Sequence, residues 1–270
     1  MKKVALITGT SAGMGKEIAK QLFTDGYIVY GAARRVDKME DIRALGIKVL
    51  PMDVADDVSI VSSINTIINT EGRIDVLINN AGFGSYGTIE EVPIDTARYQ
   101  LEVNVFGAAR LIQLVLPYMR AQHSGKIINI TSIGGKLATP LGGWYHASKF
   151  ALEGLSDSLR NEVKPFGIDV IVIEPGGIKT EWGSIATDNL KKISGNSAYK
   201  TLISKFDAAM SKAEKNGSEP KVIVDLVTKA LNAKNPKARY SGGYMARPSL
   251  FMRKLLSDKA FDKMMMSQFK

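Results

Sequence analysis

Short apolar runs alternate with stretches of helical spacing along most of the first 180 residues. Lys3–Thr8, with Val4, Leu6 and Ile7, reads as a buried strand, and Ile18, Ala19, Leu22 and Phe23 behind it form one helix face. Ile28–Ala33 and Ile47–Met52 read as further strands, the latter ending at Asp53, and Ile60–Ile68 lies in a helix. Ile74–Ile78 is the next strand, running into Asn79-Asn80-Ala81-Gly82. Asp95–Gln122 reads as one long helix with Leu101, Val105, Ala108, Leu111, Ile112 and Val115 on its apolar side. Pro117 is expected to kink or weaken that helix near its end. Ile127–Thr131 and Ile168–Ile173 are strands flanking a helix over Trp144–Pro165 that carries Phe150, Leu155 and Leu159. Alternation of this kind predicts an α/β protein: a doubly wound parallel sheet with helices on both faces and ligands at the strands' C-terminal ends. Residues 1–247 are expected to form this one domain, with 248–270 as a C-terminal helical extension.

Composition narrows the chemistry. With 270 residues, 45% hydrophobic and 23% charged, the chain suits a soluble globular fold. It has no cysteine and only His123 and His146. Disulfides, thiolate zinc sites and cysteine nucleophiles are therefore excluded, and no metal site is expected. The apolar run behind Met1-Lys2-Lys3 is too short for a signal peptide, and no stretch reaches the ~20 apolar residues of a membrane span. A cytoplasmic location follows as the expectation, and nucleic acid is not an expected partner. The net charge of +9 is uneven: residues 1–190 carry 19 Lys/Arg against 21 Asp/Glu, and residues 191–270 carry 17 against 6.

Candidate chemistry gathers at the strand ends. After the first strand comes Thr8-Gly9-Thr10-Ser11-Ala12-Gly13-Met14-Gly15 and then a helix. Such a turn sets a pyrophosphate against free backbone N–H groups at a helix N-terminus, and glycines let the backbone approach closely. The second strand ends in Ala33, followed by Arg34 and Arg35, where a carboxylate would ordinarily bind ribose hydroxyls. A carboxylate repels a 2′-phosphate whereas arginine binds it, so NADP(H) is expected over NAD(H), with Ser11 as an added hydroxyl donor. Asp53 could accept from an adenine amine or serve a turn. Asn79 and Asn80 could bond adjacent backbone and fix their loop. Asn104 sits mid-helix, where its amide needs partners. Ser132 follows the fifth strand. Tyr145 and Lys149, four apart, share a helix face, and the lysine is expected to lower the tyrosine's pKa so that it can exchange a proton.

Thr8-Gly9-x-x-x-Gly13-x-Gly15, Asn79-Asn80-Ala81-Gly82, Asn104, Ser132, Tyr145-x-x-x-Lys149 and Pro175-Gly176 stand in the order and spacing of one family. Over residues 3 to about 180 the chain resembles the short-chain dehydrogenase/reductase family, and its second strand resembles NADP-preferring, 17β-hydroxysteroid dehydrogenase-like members. The resemblance implies a Rossmann fold and an oxidoreductase interconverting a carbonyl and an alcohol. It implies Tyr145 as general acid or base, Lys149 as the group that lowers its pKa and bonds the nicotinamide ribose, Ser132 as the holder of substrate oxygen and Asn104 as the positioner of a relay water. It further implies a cofactor set of Gly9, Ser11, Gly13, Met14, Gly15, Arg34, Asp53, Val54, Asn80, Ala81, Gly82, Tyr145, Lys149, Pro175, Gly176, Ile178 and Thr180, the last on the carboxamide. A sensor or scaffold that binds NADP(H) with little catalysis is the alternative, as is a lyase or isomerase on the same scaffold.

The resemblance also implies a homodimer or homotetramer that pairs the helices Asp95–Gln122 and Trp144–Pro165. Specificity is expected in a loop over 181–219, with Trp182, Ile185, Leu190, Tyr199 and Phe206 lining a site for an apolar ketone or aldehyde. In the extension, Leu250, Phe251, Leu255 and Leu256 read as one apolar cluster and Phe261, Met264, Met265 and Phe269 as another. Ser257 and Asp258 between them can cap a short helix. The favoured reading folds this segment back over the pocket mouth; a peripheral membrane contact is the less favoured rival.

Overall fold

A computed structural model describes residues 1–180, 182–194 and 197–269, apart from the side chains of Trp182, Ser184 and Ile185. Seven parallel strands form one sheet in the order β3-β2-β1-β4-β5-β6-β7. They are β1 (Val4–Thr8), β2 (Ile28–Ala33), β3 (Lys48–Pro51), β4 (Val76–Asn79), β5 (Gly125–Ile130), β6 (Ile168–Pro175) and β7 (Arg239–Gly242). Strand order reverses between β1 and β4, so a crevice opens there beyond their C-terminal ends. The expected doubly wound sheet is what the chain forms. β7 adds an edge strand that the apolar pattern did not predict, because Arg239-Tyr240-Ser241-Gly242 contains no apolar run.

Helices cover both faces. α1 (Gly13–Thr24), α2 (Glu40–Ala44) and α9 (Lys221–Asn232) pack on one face over Ile7, Ile18, Leu22, Ile128, Ile171 and Val227. On the other lie α3 (Asp57–Glu71), α5 (Gly107–Ala121) and α6 (Gly143–Val163), over Leu6, Ile64, Leu77, Leu111, Val115 and Ile127. Alternate residues of β1, β2, β4, β5 and β6 feed opposite cores, the two-residue period of a strand buried on both faces.

The expected long helix over Asp95–Gln122 is α4 (Ile94–Leu101) joined to α5 through a π turn, Glu102–Phe106. The helix runs past Pro117 to Ala121. A helix with one wider turn keeps nearly the same apolar stripe, so periodicity does not reveal the bulge. The segment expected as a specificity loop is largely helical: α7 (Trp182–Ser194) and α8 (Lys200–Lys215). Beyond β7 come α10 (Ala246–Leu255) and α11 (Asp258–Ser267). Among the described residues no helix is long and apolar enough to cross a membrane.

Candidate active site

The β1–α1 turn and the β4 loop are tied to each other. Thr8 Oγ1 accepts from the backbone N–H of Asn80 (3.1 Å) and of Ala81 (3.0 Å). Asn80 Nδ2 donates back to Thr8 O at 2.9 Å. Gly9 has φ +74°, and a Cβ on it would stand 2.8 Å from Asn80 Nδ2; one on Gly15 would collide with Asn80 Nδ2 and Gly9 O. The asparagine amide therefore occupies the room that glycine leaves, and alanine at either position breaks the tie. Across the crevice, a Cβ on Gly13 would lie 3.4 Å from the Thr180 methyl. Met14 and Ile178 pack together on the first core, and Val54 is buried in the second. Gly82 lies beside Asn104 and Lys149. Gly9, Gly13, Gly15, Asn80 and Thr180 thus lie around the crevice beyond β1 and β4, and a turn stripped of side chains in this way fits a nicotinamide dinucleotide.

Three side chains have partners within the fold. Asn79 bonds not adjacent backbone but the Asn129 side chain, Nδ2 to Oδ1 at 2.9 Å. Asp53 serves its turn: Oδ1 accepts from Ala55 N at 3.0 Å. Arg34 donates to the Tyr99 hydroxyl at 2.8 Å and lies 3.8 Å from Asp53, whereas Arg35 reaches Ser11 Oγ at 3.3 Å. Of the two arginines, Arg35 is the one beside the glycine loop.

Ser132, Tyr145 and Lys149 converge at the C-terminal ends of β5 and β6. Ser132 Oγ accepts from Gly134 N at 3.0 Å, donates to Pro175 O at 3.4 Å, and is hydrogen-bonded to Tyr145. Lys149 Nζ donates to Ile130 O at 3.0 Å and stands 6.0 Å from the centre of the Tyr145 ring. Burial governs both ionisations. It pushes the Tyr145 phenol up to about 12, with Ser132 pulling the other way. It brings the Lys149 ammonium down to about 8, with the negative charge of Glu153 opposing. The expected lowering of the phenol is not seen: burial, the largest cause, holds it above its ordinary value. Asn104, inside the π turn, accepts from Phe83 N at 3.0 Å and donates to Phe83 O and Ser148 Oγ, each at 2.9 Å. Its amide is satisfied by the loop after β4 and by α6, so the bulge joins those two elements.

Residues 3–190 match the short chain dehydrogenase family. The chain belongs to that family. It is accordingly an oxidoreductase of the short-chain dehydrogenase type. It is 39% identical to a 3-ketodihydrosphingosine reductase of Bacteroides thetaiotaomicron, over 89% of this chain and 88% of the relative. It is 34% identical to an NADPH-dependent 3-dehydrocapnine reductase of Ornithobacterium rhinotracheale, over 99% and 98%. The structure of a short-chain dehydrogenase from Streptomyces avermitilis superposes with a TM-score of 0.82 at 32% identity, covering 93% of this chain and 91% of that one.

What this short-chain dehydrogenase places above Tyr145 is an apolar roof. Tyr86, Leu141, Ala186, Leu190, Ile203, Phe206 and Phe269 form a third buried cluster with the tyrosine. Ring centres step from Tyr145 to Tyr86 (5.8 Å), to Phe206 (5.6 Å) and to Phe269 (5.8 Å), and such pairs stabilise by about 0.5–1.5 kcal/mol each. Leu190 and Phe206, named from the sequence, are both buried in this cluster. Tyr199 lies outside it, its hydroxyl donating to Glu90 at 2.7 Å. Trp182 and Ile185 lie outside the described side chains. The extension divides. Phe261 and Phe269 are buried, whereas Phe251 and Leu255, expected to share one cluster with Leu250 and Leu256, are exposed. Ser257 holds the N-cap position of α11 without a side-chain cap bond, and Asp258 instead pairs with Arg253 at 2.7 Å.

Two supports of the site went unnoticed in the sequence. His146 Nε2 accepts from Thr139 N at 3.0 Å, so its Nδ1 carries the proton and donates to Gly134 O at 3.0 Å. Burial keeps this imidazole below its usual pKa, hence neutral, and it pins the Ser132 loop to α6. Glu153, one turn after Lys149 and 2% exposed, accepts from Thr131 Oγ1 at 2.7 Å and pairs with Lys136 and Arg239, each at 2.9 Å. The signal available for Glu153 was an acid at an inward position of a helix; its partners lie too far along the chain to be read.

Proposed function

We propose that this protein is an NADPH-dependent reductase that converts a ketone on a long apolar chain to an alcohol. The observation that carries this is the convergence of Ser132, Tyr145 and Lys149 between a glycine cradle and an apolar roof. A bound nicotinamide supplies the hydride. Ser132, oriented by Gly134 N–H, turns its hydroxyl proton from Pro175 O to the substrate oxygen. Tyr145 keeps its proton at neutral pH because burial holds the phenol at about 12. It therefore acts as an acid, giving that proton to the oxygen as charge develops there. The protonated Lys149 stabilises the phenolate left behind. Asn104 holds the β4 loop against α6 at the inner end of this arrangement.

Support for the substrate class comes from the roof side chains and from the relatives named for 3-ketodihydrosphingosine and 3-dehydrocapnine reduction. Support for NADP(H) comes from Arg35 beside Ser11, with Arg34 adjacent and no acid at Ala33. NADPH and NADH oxidation with chain ketones, steroids, retinoids and aromatic aldehydes tests both. Chain ketones are expected to turn over fastest and with NADPH. Arg35→Asp should shift the NADPH/NADH ratio of kcat/KM about ten- to a hundredfold toward NADH, and Arg34→Asp by less, as expected of one charge-assisted contact. Tight NADPH binding with no ketone reduced would favour a cofactor-binding sensor instead.

The protein is further proposed to dimerise through α5 and α6. Phe106, in the π turn ahead of α5, and Phe150, on α6, are 57% and 46% exposed. Solution scattering is expected to give at least a dimer at micromolar concentration, and a monomer would refute the pairing.

A further inference from the structure

α10 presents its apolar side chains outward. Arg247, Pro248, Phe251, Lys254 and Leu255 are all exposed, Phe251 at 64% and Leu255 at 66%. At 3.6 residues per turn these five lie within about 120° of the helix circumference. Ala246, Leu250, Met252, Arg253 and Leu256 fall outside that arc and are buried or half-buried. The outward stripe thus holds two large apolar groups and two cations, with no acid among them. The nearest carboxylate along the chain, Asp258, is tied to Arg253 on the inward side.

We propose that this stripe of α10 is a docking surface for an anionic lipid bilayer. Apolar groups enter the acyl boundary while Arg247 and Lys254 meet headgroup phosphates, the arrangement of an interfacial helix. Charge argues for this occupant. The last 80 residues carry 17 Lys/Arg against 6 Asp/Glu, so attraction to an anionic surface is strongest on the part of the chain that bears the stripe. A second copy fits poorly, because a twofold contact sets a patch against itself and would bring the two cations of one stripe against the two of the other. Docking would also bring the roof to the lipid. α11 follows α10 after two residues and leads to Phe269 above Phe206.

Co-sedimentation of the full chain with vesicles of phosphatidylcholine, alone or mixed with phosphatidylglycerol, tests the proposal. Binding to the mixed vesicles at low salt, weakened by high salt, is expected. Arg247→Glu with Lys254→Glu should weaken it about thirtyfold or more, at a factor of about five per cation removed. Phe251→Ser with Leu255→Ser should weaken it about tenfold or more. Neither pair touches the cradle or Tyr145, so reduction of a short soluble ketone should be unchanged in both. Vesicle binding is read without substrate, so failure of the reductase reading would leave this result standing. Equal affinity for neutral and anionic vesicles, or no sedimentation, would overturn the proposal. So would loss of self-association in the α10 variants without loss of vesicle binding, which would assign the stripe to a second copy.

Discussion

Tyr145→Phe is expected to lower ketone reduction by about 10²–10⁴-fold, the usual share of a positioned acid, with NADPH affinity nearly unchanged. The ring is buried at the base of the roof, and phenylalanine preserves its contact with Tyr86. Ser132 keeps Gly134 N and Pro175 O as partners, so its loop should hold. Single-turnover reduction with NADPH, beside a fluorescence titration of NADPH binding, separates the two effects. Activity of the phenylalanine protein within a few-fold of the parent would remove Tyr145 from the chemistry.

Lys149→Met is expected to abolish reduction and yet stabilise the fold. Burial lowers this lysine from 10.5 unfolded to about 8 folded. Between those values the unfolded chain binds a proton that the native one lacks, so parental stability rises as pH increases through that window. Below about 8 the native state bears the cost of the buried ammonium, about 3 kcal/mol at 1.36 kcal/mol per unit. Methionine removes that cost and the associated pH dependence, less about 1 kcal/mol for the hydrogen bond to Ile130 O. Urea unfolding at pH 7 should then show a gain of about 2 kcal/mol. A destabilised variant would mean that the ammonium is better compensated than its burial implies. Parental kcat/KM for reduction, which reports the free enzyme, should fall as pH rises through about 8 and the charge is lost.

The sheet was legible because six strands are apolar runs bounded by glycine, proline or asparagine turns. β7 was not, since a four-residue edge strand with only Tyr240 buried has no pattern to show. Positions in the glycine loop and the Tyr145 helix were readable from spacing, because each is a local turn or one helix face. What escaped was contact between distant segments. Nothing near Thr8 in sequence announces Asn80, nor Arg239 beside Glu153. The burial of the phenol was equally hidden: spacing places a lysine one turn away, but the depth of the ring is set by segments far along the chain.

α7 and α8 leave the body of the protein and return to it at one point. Lys179 N donates to Ser218 O at 3.0 Å, and Ser218 N donates to Gly177 O at 3.0 Å, so the two stems of the excursion are clasped. Closing a loop whose ends are already held together costs little more when its length changes. The hairpin therefore behaves as a cassette: its sequence, and even the number of its residues, can be exchanged while the strand that carries Pro175 stays in register with β5 and β7. In a protein built this way, the cover over the site can change without moving the strands beneath it.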